Sequence, residues 1–576
     1  MRIGLITEGG YPYASGDARL WCDRLVRGLG QHEFDIYALS RTERQETEGW
    51  IPLPSQVSRV RTAPLWTAQH DGAVHGRRAR RQFAEAYAEL AAALCTAPQT
   101  GAPQSTPGPA DPEADRFGSA LYALAELARD VGGLVAALRS ETAVRALEQA
   151  CRAPGALRAA RAARVPELLE VAAHVERALR PLSLDWYEED GLGSVDLCHA
   201  TTGGAAALTG LLAGYFAGVP LLVTEYGVQL RAHYLEAPDG APPVRALLAS
   251  FHRRLAAEVY QRAARITPGN THARRWQERC GADRSKLRTV YPGMEASRFT
   301  DVGESADGAD PYTLVWVGRV EPAKDLISLL HAFAEIRKQE PKARLRIVGA
   351  AADADGVAYL GHCRALAAQL FPDEAEGVHD VGDNPVSFEE IGGPEVPDLA
   401  EAYAAGAVVV LSSVVEGFPI SLVEAMFCGR ATVSTDVGAV VEVIGGTGLV
   451  VPPRNPRALA EACIALLRDP KRRERLGAAA RARAVELFTV EQNVAAFHGI
   501  YLEILSHSPM RRVLVDDAGE PLPFGTPAEA HLPGRWTELR SVGVRPRWAR
   551  APGPATAPLR AFARLDEPVP TAEGAR

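Results

Sequence analysis

Short β-branched runs alternate with stretches of helical spacing along this chain, and the alternation restarts once. In the first half, apolar runs predict strands at Arg2–Thr7, Phe34–Leu39, Val195–Ala200, Pro220–Glu225 and Arg265–Thr267. Helical spacing fits between several of them, as at Ala18–Leu29 and Gly204–Ala217. In the second half, strands are expected at Thr313–Val317, Ala343–Val348, Ala407–Ser412, Ala431–Thr435 and Gly448–Val451. Helices at Asp325–Lys338, Asp398–Ala404, Ile420–Cys428 and Pro456–Arg468 separate them. Strand–helix alternation implies mostly parallel sheets covered on both faces. The fold class is therefore α/β: two doubly wound, Rossmann-like domains facing a cleft, where ligands sit outside the carboxyl ends of strands.

Three segments break the pattern. A helical insertion, about 66–188, interrupts the first half. It opens with the basic run Arg77, Arg78, Arg80 and Arg81, read as a solvated helix face. Within it, Cys95–Asp115 is rich in Pro, Gly, Ser and Thr and reads as a loop, whereas Phe117–Cys151 and Ala156–Leu182 have helical spacing. Tyr291-Pro292-Gly293 marks a hinge. The expected domains are 1–292 and 293–490, followed by a crossover helix at 491–508 and a disordered tail at 509–576, where Pro, Ala, Arg and Gly dominate.

Composition narrows the class. A chain of 576 residues, 47% hydrophobic and 23% charged, is long enough for two globular cores. A net charge of −8 argues against general binding to nucleic acid or anionic membranes. No run of 18 apolar residues occurs, and MRIGLITEGG reads as a first strand rather than a leader, so membrane association is expected only through a partner protein. The eight cysteines form no C-x-x-C pair and lack zinc-ligand spacing, which fits buried thiols in a reducing, cytoplasmic setting.

The chemistry concentrates at two neighbouring strand ends in the second half. Thr313–Val317 is followed by Gly318-Arg319 and then Lys324. Glycine lets a phosphate approach the backbone, arginine offers a planar fork to its oxygens, and lysine adds a point charge. Ala407–Ser412 is followed by Glu416-Gly417-Phe418-Pro419, a helix carrying Leu422 and Glu424, and Gly429. Pro at the start and Gly past the end suit that helix, whose free amides and dipole favour an anion. Two carboxylates eight residues apart can accept hydrogen bonds from vicinal hydroxyls. No strand-terminal D-x-D pair suited to holding a metal against a diphosphate is present, and neither a metal nor a cofactor is expected.

Gly318-Arg319…Lys324 with Glu416-Gly417-Phe418-Pro419…Glu424-Ala425 resembles the donor signature of retaining, family-four glycosyltransferases of GT-B fold. The resemblance covers roughly 1–94 and 190–505. It implies that Arg319 and Lys324 bind the donor diphosphate, that Glu424 holds the ribose and that Glu416 contacts the donor sugar. In the first half, Thr7–Tyr13, Trp21…Leu25–Leu29, His199-Ala200 and Thr224–Val228…Leu230-Arg231 resemble the cytoplasmic glycosyltransferases of Pel exopolysaccharide synthesis. That resemblance implies UDP-glucose as donor, a nucleotide sugar being a co-substrate, and leaves the acceptor unidentified. Two departures, Asp17 beside Gly16 and Tyr226 in place of histidine, imply a paralogue with a changed acceptor.

Weaker candidates complete the site. Gly10 and Gly16 are candidates for a phosphate-facing loop, or for a plain turn. His199, Glu225, Tyr226 and Arg231, at or past strand ends, are candidates for the acceptor or sugar pocket, with a core role for His199 nearly as good a reading. Gly382-Asp383-Asn384 is a candidate for the base pocket or a plain loop. Rival readings are a GDP-sugar donor, an inositol phosphate acceptor, a nucleotide-sugar phosphorylase or synthase, and a non-catalytic subunit that binds a nucleotide sugar.

Overall fold

A computed structural model describes residues 1–15, 19–96, 112–236, 240–304, 309–372, 384–393 and 396–508. The chain divides into two units, Met1–Ile504 and Leu505–Arg576; of the second, 505–508 are described. The expected disorder of 509–576 concerns residues outside the described ones.

Within the first unit the described residues form two six-stranded parallel sheets. The first contains β1 (Arg2–Glu8), β2 (Glu33–Ser40), β3 (Val57–Pro64), β4 (Leu197–Ala200), β5 (Leu221–Glu225) and β6 (Arg265–Pro268), in the order β3-β2-β1-β4-β5-β6. The second contains β7 (Asp310–Val317), β8 (Arg344–Val348), β9 (Val386–Glu389), β10 (Gly406–Leu411), β11 (Ala431–Thr435) and β12 (Leu449–Val451), in the order β12-β11-β10-β7-β8-β9. Renumbered from its own first strand, the second sheet repeats the order of the first. Both carry a topological switch point beside their first strand, between β1 and β4 and between β7 and β10, where α/β sheets open a crevice for ligands.

Near-continuous apolar strands need cover on both faces. On one face of the first sheet, Ile6, Tyr37 and Leu39 pack with Phe83, Leu90, Leu121 and Val171 of the insertion. The insertion is thus part of the domain core rather than an appendage. On the other face, Ile3, Leu5 and Ile36 pack with Trp21 and Leu25 and with Phe497, Ile500, Tyr501 and Ile504. The helix that begins at Val490 therefore returns from the second sheet to cover the first. Burying such side chains contributes roughly 1.5–3 kcal/mol each, so four of them make a firm tether.

Two strands fall outside the expected set. β3 reads VSRVRTAP and lies half exposed at the sheet edge. β9 begins two residues after Asn384; Gly382 and Asp383 lie outside the described residues. Several helices were also not expected, the longest among them Pro242–Arg262, Thr271–Arg279, Ala354–Leu370 and Pro470–Leu487. The segment 97–111 of the expected insertion loop is outside the described residues, and a helix starts at Pro112. Arg77, Arg78, Arg80 and Arg81 are exposed, as a solvated face requires. Among the described residues no helix is long and apolar enough to cross a membrane. All eight cysteines are buried and free.

Candidate functional site

The loops after β7 and β10 flank the second switch point and are tied together by their own hydrogen bonds. Ser412 Oγ donates to the Lys324 carbonyl at 2.7 Å and the Val414 amide to the Ala323 carbonyl at 2.8 Å. The Gly318 amide donates to Val348 O at 3.1 Å, closing the first loop against the end of β8. The chain then turns through Pro322–Lys324 to Asp325, which has φ 48° and caps the helix Leu326–Gln339 by accepting from the Ser328 amide at 3.3 Å. Aspartate tolerates this left-handed conformation better than most residues. It directs the chain away immediately after Lys324.

Lys324 and Glu416 meet across these loops. The ammonium lies 2.8 Å from Oε2 and 3.1 Å from Oε1, with side-chain exposures of only 16% and 9%. Arg319 is exposed on the same loop, and no described residue pairs with its guanidinium. Behind Glu416, Gly438 has φ 57°, and a Cβ there would lie 2.3 Å from the Glu416 carbonyl. Glycine is needed for that close approach. It brings the loop after β11 against Glu416-Gly417, where the Ala439 amide donates to Gly417 O at 3.2 Å.

The helix Ile420–Phe427 begins just past Pro419 with no side-chain cap. The Ile420 amide is engaged by Phe418 O at 3.0 Å and the Leu422 amide by Pro419 O at 3.1 Å. The Ser421 amide has no acceptor among the described residues. The expected cradle over Pro419–Leu422 is therefore narrower than its sequence suggests, and the Leu422 side chain is buried in the core. One turn on, Glu424 accepts from Tyr403 OH at 2.8 Å. Burial raises its pKa above the usual carboxylate range, opposed by the Tyr403 hydroxyl and by the charges of Arg298 and Arg24. Sequence reasoning missed both arginines. Arg24 comes from the first domain, donates to Gly293 O at 3.2 Å and pairs with Glu295 at 3.5 Å.

The first domain contributes less than its strand ends suggest. His199 is fully buried, with Nδ1 2.7 Å from Tyr501 OH and Nε2 2.7 Å from Thr224 Oγ1. Both ring nitrogens are satisfied, and burial pushes its pKa down to about 3. Glu225 is 1% exposed and accepts from Tyr260 OH, Gln277 Nε2 and the Gln229 amide. Both side chains are buried and spend their polar atoms on neighbouring residues, as the core reading of His199 has it. Tyr226 packs edge-on to Trp21 and accepts from Asn493 Nδ2 at 3.3 Å, which ties it to the crossover helix. Gly10 is buried in a turn whose carbonyl accepts from the Tyr13 amide at 3.0 Å. Gly16 and Asp17 lie outside the described residues.

Arg231 does reach the second domain. Its Nη2 donates to the Glu416 carbonyl at 3.0 Å, and burial lowers its pKa against the raising effect of the Glu416 charge. A second bridge is Glu442, which accepts from the Thr271 amide at 2.7 Å and Tyr291 OH at 2.9 Å. The carboxyl-end loops of the second sheet are thus held against the first domain.

Residues 311–469, which contain every candidate from Gly318 to Glu424, match the family model described as glycosyl transferases group 1. Residues 1–285 match a domain of unknown function, DUF3492. Relatives include the D-inositol 3-phosphate glycosyltransferase of Streptomyces bingchenggensis, 32% identical over 238 residues, 39% of this chain and 49% of that protein. That of Frankia alni is 34% identical over 205 residues, 34% of this chain and 46% of that protein. The chain spans about half the length of these curated relatives. Among solved structures, Anabaena Alr3699/HepE in complex with UDP aligns at TM-score 0.51 and 15% identity, over 87% of this chain and 100% of that one. Sucrose-phosphate synthase from Thermosynechococcus elongatus aligns at 0.50 and 16%, over 88% and 100%. At such identities the likeness speaks for fold alone. With the group 1 match and the paired sheets, the fold is GT-B.

Proposed function

We propose that the chain is a retaining hexosyltransferase that takes a hexosyl unit from a nucleoside diphosphate sugar, UDP-glucose by preference, without a metal. What supports this reading is the Lys324–Glu416 pair between the loops after the adjacent strands β7 and β10, with Arg319 exposed on the first of these loops, inside the segment that matches the group 1 model. Breaking the sugar–phosphate bond builds negative charge on the leaving diphosphate. An exposed guanidinium, an ammonium and a free helix amide stabilise that charge where they are already placed, and such preorganisation lowers the barrier by several kcal/mol. They do the work a divalent ion performs elsewhere. Glu416 stays close to Lys324 and accepts from the donor sugar's hydroxyls, and Glu424 accepts from the ribose. Departure and attack occur on the same face of an oxocarbenium-like sugar, so configuration is retained. Closure of the domains limits hydrolysis.

UDP is favoured by the fold shared with UDP-bound Alr3699/HepE and by the resemblance of the first half to Pel-type cytoplasmic enzymes. The same resemblance supports a cytoplasmic place in polysaccharide or glycoconjugate synthesis. A second reading, an inositol phosphate acceptor, is favoured by the names of the relatives. Release of UDP or GDP from a panel of nucleotide sugars, with and without inositol phosphate, tests both. UDP release from UDP-glucose is expected. A protein that binds UDP yet turns over no nucleotide sugar under any of these conditions overturns the catalytic reading.

A further inference from the structure

An open cavity of about 680 Å³ lies at the carboxyl ends of β2 and β3, outside the group 1 site. Its lining includes Tyr13, Glu46, Trp50, Thr62, Trp66 and Gln69. Tyr13 and Trp50 are bridged by backbone pairing, which fixes the loop after β1 to the segment after helix Glu43–Glu48. We propose that this cavity is a subsite for a neutral oligosaccharide, the acceptor glycan of the transferase; it rests on the transferase reading and names the acceptor's class.

Three observations carry it. First, the aromatic residues are out of place as core. Trp50 is 50% exposed, and the indole N–H of Trp66 is buried without an acceptor among the described residues. Leaving a buried donor unpaired costs about 1–3 kcal/mol, and exposing a large ring forfeits its burial, so packing alone does not account for the pair. The C–H face of a pyranose lies flat on such rings, giving apolar area and direction together. Secondly, the polar lining suits hydroxyls. Glu46 accepts from Ser40 Oγ and keeps further acceptor capacity, and Gln69 and Thr62 are exposed donors and acceptors. Nothing lies within 4 Å of a Cβ placed on Gly49, which leaves open room above that part of the wall. Thirdly, no Lys, Arg or His is among the described residues lining the cavity. A phosphorylated or acidic ligand would face a carboxylate with no counter-charge, so an uncharged saccharide fits and an inositol phosphate does not. The volume is within the ~300–1,000 Å³ of small-ligand clefts and exceeds what one ring needs. The site is on the carboxyl edge of the first sheet, the edge from which Arg231 extends to Glu416.

The test uses the full chain, fluorescently labelled, on a printed array of neutral hexose and N-acetylhexosamine oligosaccharides four to eight sugars long, with uronic acid and phosphorylated oligosaccharides beside them. Saturable retention on at least one neutral oligosaccharide is expected. It should weaken at least about tenfold in Trp50→Ala, a typical loss for truncating an anchoring tryptophan, and persist in Trp50→Tyr, which keeps a stacking face. UDP binding, measured on the same preparations, should be equal in all three proteins, and equal UDP binding also shows that the variants are folded. Absence of retention on every neutral oligosaccharide, preference for the acidic ones, or undiminished retention by Trp50→Ala would each overturn the subsite. If the array result holds but no nucleotide sugar is turned over, the transferase reading fails and the saccharide site remains.

Discussion

The two sheets share a strand order, yet their switch points are furnished in opposite ways. At the first, the helix Ala205–Ala217 meets a carboxylate from the chain itself: Glu8 Oε2 accepts from the Ala205 amide at 2.9 Å and from Thr202 Oγ1 at 3.0 Å. Arg41 pairs with the same group at 2.9 Å. The anion that a helix start favours is already built in. At the second, the helix start carries no side-chain cap, and the neighbouring loop after β7 carries the cations Arg319 and Lys324. One helix start is met by a carboxylate of the chain itself and the other is not. The lesson is local: topology supplies a crevice twice, and the side chains on its loops decide which one is used.

The same contrast separates the candidate residues. Arg319, Lys324 and Glu416 lie on loops beyond their strands, partly open to solvent. His199 lies within β4 and Glu225 ends β5, where covering helices bury them. The largest expected effect breaks the comparison on the second-domain side. Lys324→Ala should lower the rate of UDP release by about 100- to 1,000-fold, the usual loss for one preorganised charge-stabilising group, with the melting temperature nearly unchanged. A rate within threefold of the parent would remove Lys324 from the chemistry.

The converse substitution tests the first domain. His199→Phe leaves Tyr501 and Thr224 without their shared partner. It should cost about 2–3 kcal/mol of stability in urea unfolding, while turnover per folded molecule stays the same. The pH dependence follows in sign. Folded His199 stays neutral down to about pH 3, whereas the unfolded side chain takes up its proton near pH 6.5. Its contribution is therefore complete above that value and falls as pH drops toward 3, by about 1.4 kcal/mol per pH unit. Between pH 7 and 5 the parent should lose about 2 kcal/mol more than His199→Phe. Parallel losses would mean that the buried histidine is protonated in the fold.

A smaller effect sharpens the boundary between domains. Arg231→Met removes the charged donor to the Glu416 carbonyl. It should raise the KM for the nucleotide sugar by about tenfold, the order of one hydrogen bond to a charged group, and leave the first domain's stability unchanged. An unaltered KM would make Arg231 a bystander at the interface.

Much of this plan was readable from residue patterns, and the failures have physical causes. Buried parallel strands such as β7 and β10 stand out because both faces are apolar. β3 does not, because an edge strand leaves Ser58, Arg59 and Arg61 wholly or partly open to solvent. Helix Pro242–Arg262 was obscured by buried charge: Arg254 and Glu258 are 9% and 4% exposed, and Glu258 is satisfied by Tyr122 OH at 2.7 Å and Arg262 at 3.0 Å. The cluster Gly318…Lys324 with Glu416…Glu424 was legible because its elements are close in sequence to two adjacent strands. Arg24 and Glu442 were not, because their proximity arises only when the domains meet, nor was Arg298, which is distant from Glu424 in sequence. Trp50 and Trp66 escaped for a similar reason, since nothing in their spacing links them to Tyr13.

The central claim is that Arg319, Lys324 and the start of helix Ile420–Phe427 hold the leaving diphosphate. A crystal structure of the chain with UDP tests it most directly. The account predicts both phosphates between the β7 and β10 loops, with oxygens within hydrogen-bond distance of the Arg319 guanidinium, the Lys324 ammonium and the Ser421 amide. A diphosphate bound elsewhere, with the Lys324–Glu416 pair unchanged and Arg319 turned to solvent, would contradict it.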